Sequence, residues 1–158
     1  MKTSARGIEF IKSFEGLRLA PYLCPSGVPT IGWGSTIYEN GTKVTMKDRS
    51  ITRDRADMLF AFHLNLFEKD VNSLVYTAKL TQAQFDALVS FSYNVGTDID
   101  QDSIPEGLGD STLLKKILSN PLDPTITREF LKWNKSKGVV NAGLIARRNH
   151  EAQMYFGK

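Results

Sequence analysis

The chain has 158 residues, of which 41% are hydrophobic and 23% charged, and its 20 Lys and Arg against 17 Asp and Glu leave a net charge of +3. That length supports one domain with a real core, which would bury roughly 70% of the surface of the unfolded chain. With 12 Gly and 6 Pro, low-complexity and collagen-like chains are excluded, and the mild positive balance admits an anionic partner without singling out nucleic acid.

Residues 1–14 carry Lys2, Arg6, Glu9 and Lys12 where a signal peptide needs an uninterrupted apolar stretch, so a soluble chain made in the cytoplasm is expected. Within them Ile8, Ile11 and Phe14 recur at helical spacing; Thr3 or Ser4 is the candidate N-cap and Gly16 the stop, which predicts a helix over 3–14 with Glu15 at its C-terminal edge. Across 20–44 the texture changes. Pro21, Pro25, Gly27, Pro29, Gly32, Gly34 and Gly41 punctuate short apolar pieces around Tyr22, Ile31, Trp33, Ile37 and Tyr38, which reads as small antiparallel strands and the only sheet. The sole cysteine, Cys24, lies here; one cysteine allows neither an internal disulfide nor a cysteine-rich metal site, and suits a reducing compartment.

Thr52 caps a long helix with Asp54 and Asp57 near its positive end and a wide apolar face of Leu59, Phe62, Leu66 and Val71, with Phe60, Leu64 and Phe67 beside them. Thr81 and Gln84 form a capping box before a core helix through Phe85, Leu88, Val89 and Val95, closed by Gly96. The stretch 98–110 holds five acids and no Lys or Arg, a loop by composition. Ser111 opens a short helix through Leu113, Leu114, Ile117 and Leu118 that Pro121 ends. Asp123 as N-cap and Pro124 in the first turn start a helix with Ile126, Phe130, Leu131 and Trp133. The last helix spans about 143–156. No repeat or Ser- or Pro-rich linker divides the chain, and the order helix, small sheet, many helices describes an α+β fold with concave sites favoured at the seam of two lobes.

Glu15 follows directly on an apolar helix face, and desolvation favours the protonated form of a carboxyl, the form a general acid needs. A solvated helix-end Glu is the competing reading. Position decides between them: Glu15, eight residues, Cys24, five residues, Thr30, then Ile31-Gly32-Trp33-Gly34 resembles the Glu, Asp or Cys, Thr signature of the phage-type lysozymes, the endolysins. The resemblance continues through Phe85-Asp86-Ala87-Leu88-Val89-Ser90-Phe91-Ser92-Tyr93-Asn94-Val95-Gly96, Ser111-Thr112-Leu113-Leu114, Trp133, and Gly143-Leu144-Ile145-Ala146-Arg147-Arg148 with Glu151.

The resemblance implies a single lysozyme-like domain over 1–158. A β-rich lobe of about 16–50 would be joined by a long helix to a helical lobe of about 52–158, on which the 3–14 helix packs. It implies a muramidase that hydrolyses the β-1,4 bond between N-acetylmuramic acid and N-acetylglucosamine in peptidoglycan and so lyses the host cell, acting as a monomer without metal or cofactor. Glu15 would protonate the leaving oxygen; Thr30 would hold the attacking water; the residue at 24 would polarise that water or stabilise the sugar cation, with catalytic groups about 6.5–9.5 Å apart in an inverting enzyme. Cys24 fits three roles: a weak hydrogen-bond partner for water, a partly ionised base, or a bystander. Where relatives often carry a His, Ser35 follows Gly34. Arg147 and Arg148 would be structural, on a last helix folded back near the acid. The enzyme would wait in the host cytoplasm and reach the periplasmic wall through lesions made by a separate holin.

Two other activities remain as alternatives. A lytic transglycosylase can work with one Glu and an internal sugar hydroxyl, leaving anhydro-muramyl ends. A non-catalytic, membrane-perturbing role would use Lys135, Lys137, Arg147, Arg148 and Lys158 with Leu144, Ile145, Met154, Tyr155 and Phe156 as a basic amphipathic segment, although those apolar residues suffice to dock the helix on a core. Trp33, Tyr38 and Phe14 are candidate sugar-stacking aromatics that could equally be core. His63 and His150 have no second ligand at helical spacing, which argues against a metal, and no base-reading motif supports a nucleic-acid partner.

Overall fold

In the computed structural model, which describes residues 1–99 and 106–158, the described residues form six helices and two two-stranded antiparallel sheets. The α+β class is as the sequence reading has it. Contacts group the chain into two compact units, one of Glu9–Leu66 and one of Met1–Ile8 with Phe67–Lys158.

In the unit Glu9–Leu66, the helix α1 (Ala5–Glu15) ends at Gly16, whose φ of +68° suits a residue without a Cβ and whose N–H donates to the Lys12 carbonyl. The chain then enters β1 (Arg18–Leu23), which pairs with β2 (Pro29–Gly32): Tyr22 lies opposite Thr30, Leu23 opposite Pro29 and Arg18 opposite Gly32, with an irregularity between Arg18 and Tyr22. The hairpin closes over Pro25, Ser26 and Gly27. Gly27 N–H donates to Cys24 O at 2.8 Å and Cys24 N–H to Val28 O at 3.0 Å, with Gly27 at φ +83°. A proline in the second turn place and a left-handed residue at its end are what a three-residue hairpin connection demands. Isolated bridges between Ile31 and Ser35 and between Ile37 and Lys43 extend the ladder. Ile31, Val44 and Leu59, with Tyr38 and Ile51 against them, make the core of this unit.

The helix α2 (Arg53–Leu74) starts where Arg55 N–H donates to the Thr52 hydroxyl at 3.2 Å. Leu59, Phe60, Leu64 and Val71 are buried, whereas Leu66, expected on the apolar face, is 42% exposed.

In the other unit, the N-terminal segment is pinned by Thr3 N–H donating to Glu68 Oε1 and Ser4 N–H to Asp86 Oδ1, while the Ser4 hydroxyl caps α1 by accepting from Gly7 N–H. The helix α3 (Gln82–Val95) has the expected capping box of Thr81 and Gln84 and ends at Gly96. Residues 100–105 of the acidic stretch lie outside the described residues. The helix α4 (Thr112–Ser119) is capped by Ser111, which accepts from Leu114 N–H at 3.0 Å. The next helix, α5 (Ile126–Leu131), begins later than the sequence reading has it. Asp123 does not cap it; its carboxylate accepts from Thr125 N–H and the Thr125 hydroxyl, a local turn that competes with helix initiation.

A second correction concerns the sheet. A hairpin of β3 (Lys135–Ser136) and β4 (Val139–Val140) turns on Lys137 and Gly138, both at positive φ. Two-residue strands are too short to show a period of two, and Lys-Gly is not among the strong hairpin pairs. The final helix α6 (Ala142–Tyr155) is capped by Asn141 and packs on α3 and α5. Phe91 meets Phe130 and Trp133 edge on, at ring separations of 5.6 and 5.4 Å.

Arg147, Arg148 and Glu151 of α6 are all buried. Glu151 accepts from Arg147 Nε at 3.1 Å and from the Ser90 hydroxyl at 2.8 Å, and lies 3.0 Å from Arg148 Nε. Burial pushes its carboxyl up, against the pull of Arg148 and Arg147. With both arginines, Met154 and Tyr155 turned into the interior, the basic amphipathic surface considered for membranes loses four of its ten members.

Candidate active site

Glu15 stands at the last position of α1. The Trp33-Gly34 turn comes so near that a Cβ on Gly34 would lie 3.1 Å from Glu15 Oε2, and Gly34 itself is at φ +92°. Both facts require glycine there: the backbone conformation disfavours a side chain, and the carboxylate fills its space. A polar clasp fixes this turn against the helix. Asp57 of α2 accepts from Lys12 Nζ at 2.6 Å and from Trp33 Nε1 at 2.8 Å, and the Lys12 ammonium lies 4.9 Å from the centroids of the Trp33 and Phe60 rings. The Lys12 hydrogen bond holds the Asp57 carboxyl below its usual range; burial opposes and the Trp33 indole assists. Lys12 lies one helical turn before Glu15, so the clasp sets the end of α1 that carries the candidate acid.

Successive strand residues face opposite sides and directly paired residues face the same side. Tyr22 pairs with Thr30, and Cys24 is two residues on from Tyr22, so Tyr22, Cys24 and Thr30 share one face of the hairpin. Thr30 is only 3% exposed, and its hydroxyl donates to the Val28 carbonyl at 2.9 Å. Its single proton serves one acceptor at a time, the Val28 carbonyl or the Cys24 sulfur, so what it offers a water is lone pairs. Burial pushes the half-exposed Cys24 thiol up, but backbone hydrogen bonds of Val28, Ser26 and Gly27 and the Thr30 hydroxyl outweigh it, and the net direction is down. Tyr22 is tied electrically to both sides: burial first, then Glu15, push its phenol up, Arg18 pulls it down, and Cys24 adds to the rise.

Glu15, Cys24 and Thr30 thus fall in one unit, with Thr30 and Cys24 in hydrogen-bond contact and Tyr22 in the field of both Glu15 and Cys24. Ser35 is buried, exchanges backbone hydrogen bonds with Ile31, and its hydroxyl has no partner among the described residues. The aromatics proposed for sugar stacking are otherwise engaged. Trp33 is buried with its indole N–H on Asp57, the Tyr38 hydroxyl donates to Asp48 at 2.8 Å, and Phe14 packs edge on against Phe10. His63 and His150 lie against the carbonyls of Ile37 and Ala146, and the described residues contain no group of three or more His, Cys, Asp or Glu arranged to hold a metal. No helix among them is long and apolar enough to cross a membrane. Sequence reasoning missed Tyr22, Lys12 and Asp57. Strand alternation from Cys24 could have found Tyr22; nothing in the spacing joins Lys12 to Asp57.

The sequence matches the phage lysozyme family over residues 12–151. It is 37% identical over 155 residues to the endolysin of Bacillus phage B103, covering 98% of this chain and 54% of that protein, so it spans about half that relative's length. Among solved structures it is similar to the endolysin from Escherichia coli O157:H7 phage FAHEc1, with 34% identity and a TM-score of 0.82 over 98% of this chain and 93% of the other. It is also similar to the muramidase domain of SpmX from Asticaccaulis excentricus, with 36% identity and a TM-score of 0.73 over 98% and 97% of the two chains.

Proposed function

Because the chain belongs to the phage lysozyme family, we propose that it is an endolysin that hydrolyses peptidoglycan as an inverting muramidase, cutting the β-1,4 bond between N-acetylmuramic acid and N-acetylglucosamine. The observation that carries the reading is the Glu15 carboxylate lodged against the Gly34 backbone, in the same unit as a hairpin face bearing Thr30 and Cys24.

In this reaction Glu15 gives its proton to the glycosidic oxygen as the C1–O bond breaks, and positive charge develops on the sugar ring. A water on the opposite face adds to C1. One of its O–H bonds points to the lone pairs that Thr30 presents once its own proton is on Val28, which turns the water's lone pair towards C1. The second acceptor is Cys24, whose hydrogen bonds favour the thiolate more than an ordinary cysteine's surroundings do. The water's proton leaves to that acceptor or to solvent, and the products are an inverted hemiacetal and a free hydroxyl. On this reading the protein works as a monomer on the cell wall, and a separate membrane-lesion protein releases it.

The test is release of reducing ends from purified sacculi, with turbidity loss on chloroform-treated cells. Glu15→Gln is expected to lower the rate by at least about a thousandfold; a variant as active as the parent would sink the reading. A thiol where a hydrolase base is commonly a carboxylate favours one second reading, the lytic transglycosylase, in which a hydroxyl of the same sugar attacks C1. Mass spectrometry decides: hydrated ends mean hydrolysis and anhydro-muramyl ends mean transglycosylation.

A further inference from the structure

Tyr22 is a polar side chain on the site's hairpin face for which the reaction just described finds no work. It stands directly across from Thr30 and two residues before Cys24. The Arg18 guanidinium carbon lies 4.9 Å from the centroid of its ring, so the ring is held from within its own strand. We propose that Tyr22 is a further substrate-contacting residue of this site, its hydroxyl donating a hydrogen bond to an oxygen of the N-acetylated sugar whose C1 is attacked; the inference rests on the muramidase reading above.

The chemistry argues for a donor at this place. The Glu15 proton is destined for the leaving oxygen, the Thr30 proton goes to Val28 or to Cys24, and Cys24 serves the water best as an acceptor. None of the three can therefore donate to the hydroxyl or N-acetyl carbonyl oxygens that the substituted sugar brings in. A phenol fills that need if it stays neutral, and its surroundings, burial foremost, keep its proton on. A half-buried ring offers apolar surface to a sugar face as well. Arg18 fixes the ring through its guanidinium and is a positioning residue.

The test is kcat and KM on soluble glycan fragments of peptidoglycan for Tyr22→Phe, Tyr22→Leu, Arg18→Gln and the Tyr22→Leu/Arg18→Gln double variant, with thermal midpoints and Glu15→Gln alongside. Tyr22→Phe is expected to lose about tenfold in kcat at an unchanged midpoint, the scale of one hydrogen bond made to the reacting sugar. Tyr22→Leu should also raise KM, and Arg18→Gln should add nothing once Tyr22 is replaced by leucine, since the two act through one ring. Unchanged kcat and KM in Tyr22→Phe, or a loss of kcat that tracks a fall in midpoint, would overturn the inference. If Glu15→Gln is inactive while Tyr22→Phe is normal, only the role of Tyr22 fails; if Glu15→Gln is active, the muramidase reading fails first.

Discussion

At the scale of single residues, the site turns on how few protons are available in it. The Thr30 proton is shared between the Val28 carbonyl and the Cys24 sulfur, which leaves Thr30 an acceptor towards water, and Cys24 is the group whose protonation state is open. If Cys24 acts as the base it must be deprotonated, so activity should climb as pH rises through its pKa. That value is displaced downward, so the limb lies at lower pH than that of an unperturbed thiol. In pH–rate profiles Cys24→Ser should lack this limb and Cys24→Asp should move it to the carboxylate range near 4; a parent-like limb in the serine variant would dismiss the thiolate. Gly34 gives a second prediction. An alanine in its place would be strained at φ +92° and its methyl would press on Glu15 Oε2, so Gly34→Ala should cost roughly 1–2 kcal/mol in stability and at least about tenfold in kcat, read by melting and turnover. Glu15, Cys24 and Thr30 stand out as candidates in the sequence because their spacing resembles a known signature. The Thr30 proton and the Tyr22 contacts were not, because hydrogen-bond direction and ring stacking depend on a register that the sequence leaves implicit.

Among the elements, the legible features were those with strong local chemistry. The capping box of α3 and the Ser111 cap of α4 are short-range hydrogen bonds between residues close in sequence, and they form as read. The start of α5 and the β3–β4 hairpin were missed for the same kind of reason: an Asp that accepts from the residue two places on looks like a cap, and a turn without Asn or Asp looks like loop. The Lys12, Asp57 and Trp33 clasp is long-range and carried no signal. It binds the end of α1 to α2 and to the Trp33-Gly34 turn, so Asp57→Ala should strip two donors of their acceptor. Because the Asp57 side chain is 38% exposed, solvent will compensate in part, and a loss of about 1–2 kcal/mol is expected, with a shift in Trp33 fluorescence and a lower kcat. Unaltered emission and turnover would show that the clasp positions nothing.

For the molecule as a whole, the proposed reacting groups and the buried ion set on the last helix lie in different parts of the chain. The unit of Met1–Ile8 with Phe67–Lys158 holds the buried set Arg147, Arg148 and Glu151, where one carboxylate answers two guanidiniums. Glu151→Gln should therefore destabilise by about 3–5 kcal/mol, a fall in melting midpoint on the order of 10 °C, because it removes the buried carboxylate that both guanidiniums meet; a midpoint within a degree or two of the parent would refute this. The α+β class was readable from element order, but the grouping of Glu9–Leu66 was not, since it divides α1 and α2 at points where no composition changes. Every group proposed here to touch the reacting bond comes from that one uninterrupted stretch. A chimera that kept residues 9–66 and took its remaining sequence from a relative would carry all of the proposed reacting groups together, provided each junction inside α1 and α2 preserves the rotational phase of the helix.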